Sequence, residues 1–158
     1  EPVLDQDLRT WVPVAPIAEV QVAVQQATER ITGLQDHDLK TRLRTGTVAT
    51  TDNRNWELRF DELFSRLNLS RAIAIDMESA TVAANGLRFR VPYGTFLCVS
   101  DKPLHGELKL SGMANAFCRE RVSQHLKVGL ETMRILREEG VDRLHSRKLR
   151  GFDEPAFR

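Results

Sequence analysis

The chain has 158 residues, enough for one domain with a core of its own. Hydrophobic residues make up 41% and charged residues 28%, and 23 basic against 22 acidic side chains leave a net charge of +1. That balance argues against a nucleic-acid binder or an anionic-membrane protein, which would concentrate positive charge on one face. No apolar run reaches spanning length and no signal-peptide pattern opens the chain, so the cytoplasm is the expected compartment.

Residues 1–14 mix charge and proline without a period and read as an incoming connection. From Ala15 the pattern turns helical. Pro16 suits a first turn, and Ile17, Val20, Val24, Ala27 and Ile31 recur at helical spacing until Gly33. A polar stretch from Gln35 to Arg44 follows. Thr45-Gly-Thr-Val-Ala-Thr-Thr51, rich in β-branched residues, predicts a strand ending at Asp52. Residues 56–67 predict a helix with Leu58, Leu63, Phe64 and Leu67 on its apolar face.

Ala72-Ile-Ala-Ile75 is a short, continuously apolar run of the kind buried on both faces of a parallel sheet. It stops at Asp76, a good helix cap, and residues 77–87 predict a helix rich in small side chains. Past Gly86 and Pro92, Tyr93-Gly-Thr-Phe-Leu-Cys-Val-Ser100 predicts a second buried strand ending at Asp101. Together these make a β-α-β unit with a right-handed crossover. A glycine- and proline-bearing loop over 102–113 leads to one long helix, 114–139, with Phe117, Val122, Leu126, Leu130, Met133 and Leu136 as a core or subunit-interface stripe. Residues 141–158 form a tail with a basic centre (His145, Arg147, Lys148, Arg150). The class is α/β. Only three strands are evident, and two of them need cover on both faces, so the chain reads as incomplete, with open edges for a partner or a further segment to cover.

Open α/β sheets bind ligands beyond the carboxyl ends of their strands. Two acids stand there. Glu78 lies in the first turn of the helix after one strand, where backbone N–H groups and the helix dipole favour an anion fit to accept hydrogen bonds from vicinal hydroxyls. Asp101 ends the other strand, behind Phe96-Leu-Cys-Val99, where partial burial favours the protonated form of a general acid and Lys102 opposes it. On pattern alone both readings of each acid stand: a cap or solvated strand end, and a catalytic group.

The words Asp76-Met-Glu-Ser-Ala80 and Val99-Ser-Asp-Lys-Pro103, one helix and one strand apart, resemble the paired signatures of the purine nucleoside phosphorylase/nucleosidase superfamily. Thr45-Gly-Thr-Val-Ala-Thr-Thr-Asp-Asn-Arg-Asn-Trp56, Arg88-Phe-Arg-Val-Pro-Tyr-Gly94, Asp101-Lys-Pro-Leu-His-Gly106 and Leu144-His-Ser-Arg-Lys-Leu-Arg150 resemble the AMP nucleosidase family within it, over nearly the whole chain from about Ala15. The resemblance implies part of a mixed sheet flanked by helices, with the N-terminal half of the fold missing. The chain would then be the C-terminal part of a nucleosidase catalytic domain. It also implies that Glu78 binds the ribose 2′ and 3′ hydroxyls, Met77 packs on the sugar, Asp101 is the general acid at the base, and Trp56 lies against the purine. The substrate would be AMP, with no cofactor and no metal, in a homo-oligomer, commonly a hexamer. The fragment alone is expected to be weakly active or inactive. A phosphorylase or nucleosidase acting on unphosphorylated nucleosides, and a non-catalytic nucleotide-binding fragment, are the alternatives.

The remaining polar features read as structure first. His37, His105, His125 and His145 lack the i, i+4 spacing of a helical metal site and are expected as surface or cap residues, with a substrate role for His105 as the alternative. Cys98 and Cys118 are expected as buried thiols. The basic tail, and equally Arg88 and Arg90, could reach a 5′-phosphate or be solvated.

Overall fold

A computed structural model of the chain describes residues 13–53, 55–89, 91–100, 102, 113–140 and 144. The incoming connection before residue 13, Asp101, most of the loop after it and nearly all of the basic tail lie outside the described residues, as do Arg90, His105 and His145.

Helix α1 (Ala18–Thr32) buries Val20, Ala23 and Ala27 along one stripe and ends at Gly33. Gly33 adopts φ 70°, the left-handed conformation that only glycine reaches without a Cβ penalty, and its N–H closes on the Glu29 carbonyl. The polar stretch holds a second, unanticipated helix, α2 (Asp36–Arg42), with Leu39 as its single buried residue. Strand β1 (Val48–Thr50) follows, then a 3-10 turn (Trp56–Arg59) and helix α3 (Phe60–Ser70). Strand β2 (Ala74–Asp76) leads into α4 (Ser79–Phe89), and α5 (Met113–Glu139) is the long C-terminal helix. Among the described residues, β1 and β2 form a two-stranded parallel sheet in the register Val48↔Ala74, Ala49↔Ile75, Thr50↔Asp76. The β-α-β unit is therefore β1–α3–β2.

The expected strand over 93–100 is corrected. Residues 91–100 are described without strand pairing, and Cys98 is exposed rather than buried, with Val99 54% exposed. A continuous apolar run does not by itself distinguish a sheet from another packed segment. This one lies against helices. Phe96 packs on the core and stacks on His125, ring centroids 4.3 Å apart, and the Tyr93 hydroxyl donates to the Ala15 carbonyl at 2.5 Å. Two glycines allow that approach: a Cβ on Gly86 would meet the Tyr93 ring at 2.2 Å, and one on Gly94 would meet Val20 at 2.6 Å.

The core joins α1 to α5 through Val20, Ala23, Ala27, Val128, Ile135 and Leu136. The stripe expected on α5 as core or subunit interface is mostly uncovered by the described residues of this chain. Val122, Leu126, Leu130 and Met133 are 58–63% exposed, and only Leu136 of the described members is buried. At 3.6 residues per turn these four lie across the helix from Val128, Thr132 and Ile135, so α5 is apolar on two sides and α1 takes the opposite one. Of the apolar face expected over 56–67, Leu58 in the 3-10 turn is 85% and Phe64 on α3 44% exposed, while Leu67 is half-buried. At the rim of the helix pair, Glu131 accepts from Arg134 and from Arg30 across the interface at 2.9 Å. The Arg134 guanidinium first, and Arg30 second, hold its carboxyl well below the usual carboxylate range, at about 2.

Ile135→Ala is expected to destabilise the chain in urea unfolding by about 2–5 kcal/mol, whereas Met133→Ala on the exposed side costs less than about 0.5 kcal/mol; equal effects would contradict the assigned core face. Because the folded Glu131 carboxyl titrates below its unfolded value, its contribution is complete above the unfolded range and fades as pH falls toward about 2. Glu131→Gln should therefore flatten the thermal midpoint against pH over that acid limb and leave its shape unchanged at higher pH.

Candidate active site at the strand ends

The carboxyl ends of β1 and β2 lie side by side because Thr50 and Asp76 are register partners and the Thr51 N–H extends the ladder to the Asp76 carbonyl at 2.9 Å. Asp76 was expected as a helix cap, and it is one. Its Oδ2 accepts from the backbone N–H of Ser79 at 2.9 Å and from the Ser79 hydroxyl, while its Oδ1 accepts from the Thr50 hydroxyl at 2.7 Å. The Thr50 oxygen in turn accepts from the N–H of Ala80 at 3.0 Å. Ser79 is buried, and Thr50 and Asp76 are half-buried.

Between Asp76 and α4 lies a two-residue turn, Met77–Glu78. The Glu78 carbonyl accepts from Thr81 and Val82 and so opens the helix, while its side chain is exposed and enters none of the described ion pairs. Met77 beside it is 40% exposed. An exposed carboxylate and a thioether thus project from the strand end at the start of α4, where the helix dipole favours an anion.

After β1 the chain is shaped by polar side chains. Asn53 N–H donates to Thr51 Oγ1, Asn55 N–H donates to Asn53 Oδ1, and Trp56 N–H donates to the Asn53 carbonyl at 3.1 Å. Trp56, six residues beyond Thr50, is 9% exposed, so little of its indole meets solvent. Met77 and Glu78 thus leave one strand end and Trp56 follows the end of its neighbour, while Asp101 lies outside the described residues. Of the other polar residues, Arg88 stands 5.7 Å from the Phe89 ring centroid, His37 is exposed, and His125 is occupied by its stack on Phe96. Among the described residues no cluster of His, Cys, Asp or Glu could hold a metal ion, and no helix is long and apolar enough to cross a membrane. The Asp76–Thr50 link was not anticipated. Its only sequence signal is the Asp-x-x-Ser spacing of residues 76–79, which marks the cap but not the strand that joins it.

Residues 11–133 match the Phosphorylase superfamily, and the chain belongs to that superfamily. It is also similar to a particular enzyme. Two proteins named AMP nucleosidase, from Escherichia coli strain K12 and from Escherichia coli O157:H7, are each 61% identical to it over 156 residues, which is 99% of this chain and 32% of theirs. The chain thus spans about a third of the length of these relatives.

Asp76→Ala leaves the Ser79 N–H and the Thr50 and Ser79 hydroxyls without their shared acceptor. We expect a loss of about 1–2 kcal/mol in urea unfolding; an unchanged midpoint would show that the network is not formed in solution.

Proposed function

We propose that this chain carries the sugar and base sites of an enzyme that hydrolyses the N-glycosidic bond of AMP, giving adenine and ribose 5-phosphate. One observation carries the reading: an exposed carboxylate, Glu78, at the joined strand ends of a phosphorylase-superfamily chain that is 61% identical to AMP nucleosidase over 99% of its length. The chain is read as the C-terminal part of the catalytic domain.

In this reading Glu78 accepts hydrogen bonds from the ribose 2′ and 3′ hydroxyls. Negative charge on that side of the sugar favours the oxocarbenium-like state through which glycosidic cleavage passes. Met77, beside it, supplies a polarisable apolar contact to the sugar. Asp101 donates its proton to N7 of the purine. The C1′–N9 bond then breaks with its electron pair leaving on the base, so adenine departs neutral rather than as an anion. Water adds at C1′ and gives up a proton, which restores the acid. Trp56 walls the purine side. No step in this sequence calls on a metal or an organic cofactor, and the assembly is a homo-oligomer.

In the complete gene product, Asp101→Asn is expected to lower kcat for adenine release from AMP by about 10²–10⁴-fold, with KM within about threefold. Little loss of turnover would remove the general-acid role. Release from adenosine or methylthioadenosine in preference to AMP, or release that needs inorganic phosphate, would redirect the reading to an unphosphorylated nucleoside or to phosphorolysis.

A further inference from the structure

The ribose-binding role assigned to Glu78 places a demand on its backbone, because a turn of two residues between a strand and a helix has little to hold it. Three-residue strands end at Thr50 and Asp76, and α4 begins only at Ser79. The polar contacts at this corner converge on one hydroxyl. Thr50 donates to the Asp76 carboxylate, just before the turn, and accepts from the Ala80 N–H, just after it. The same carboxylate reaches forward to Ser79 at the start of the helix. Met77 and Glu78 are thus bracketed on both flanks by bonds that meet at a side chain of the neighbouring strand, and Glu78's own side chain has no described tether.

We propose that Thr50 is a positioning residue for Glu78: by fixing both flanks of the Met77–Glu78 turn, its hydroxyl sets where the ribose-binding carboxylate stands relative to the end of β1. This rests on the sugar-binding reading of Glu78. The hydroxyl is suited to the task because it donates and accepts at once, and valine, of nearly the same shape, does neither. Serine keeps both functions. A displacement of about 1 Å in a substrate-holding group can cost about 10²-fold in rate, so the loss of both bonds should be visible in turnover although Thr50 touches no substrate.

The test is a double-mutant cycle in the complete gene product, read as kcat/KM for adenine release from AMP. Thr50→Val is expected to lower kcat/KM about 10- to 100-fold, and Thr50→Ser to stay within about threefold of the parent. In the Glu78→Gln background, Thr50→Val should cost no more than about threefold further, because the group it positions is already gone. If Thr50→Val lowers the yield of folded protein, Thr50→Ala, which adds no methyl at the hydroxyl's place, runs the same cycle. A Thr50 variant lacking the hydroxyl with parent kinetics would overturn the proposal, as would losses that multiply across the cycle, the behaviour of a general structural defect. A parent protein that releases no adenine from AMP would sink the functional reading and this proposal with it. An active parent with a silent Thr50→Val sinks this proposal alone.

Discussion

The strand-end corner depends on the Asp76 carboxylate. One oxygen is held by a hydroxyl from β1 and the other by the first residue of α4, so a single side chain ties strand, strand and helix together. The pairing of β1 with β2 is three residues long, and its register would be weakly specified by backbone bonds alone. A slip of one residue would move Thr50 away from Asp76 and leave a half-buried carboxylate short of a donor. The polar contact therefore fixes the register as well as the cap.

The second constraint is the helix pair. Ala23 and Ala27 present so little side chain that α5 can lie close to α1, and Val128, Ile135 and Leu136 fill the seam. The segment 91–100 is laid into this seam by Phe96 and held near α4 and α1 by two glycines. Its far end is Ser100, directly before Asp101. The packing of this segment is thus the link between the hydrophobic core and the approach to the acid assigned to the purine. The other side of α5, carrying Val122, Leu126, Leu130 and Met133, is left apolar and uncovered by the described residues.

Helix α1 was legible in the sequence because its apolar stripe has one period and one face. So was the capping role of Asp76, which needs only a carboxylate three residues before an N–H that lacks a helical partner. Both paired strands are legible as strands, but their pairing is not: neither the parallel register nor the Thr50 bond can be seen between residues 26 positions apart. Two readings share one limit. The run 93–100 and the α5 stripe were assigned by hydrophobicity, which says that a surface is apolar but not what meets it. Helix α2 was missed for the opposite reason, having a single buried residue to announce it. At the site, the place of Glu78 just past a strand is a local property and is legible as such, whereas Met77 enters only through resemblance. Trp56, too, came only through resemblance, and it is 9% exposed.

The functional account comes down to where a bound nucleotide sits. A crystal structure of the complete gene product with AMP or an uncleavable analogue measures this directly. The account predicts the ribose beyond the ends of β1 and β2, both of its hydroxyls within hydrogen-bond distance of the Glu78 carboxylate, and the Asp101 carboxyl at N7. A nucleotide held elsewhere on the molecule, or a ribose whose hydroxyls are taken by other side chains while Glu78 stays in solvent, would contradict it.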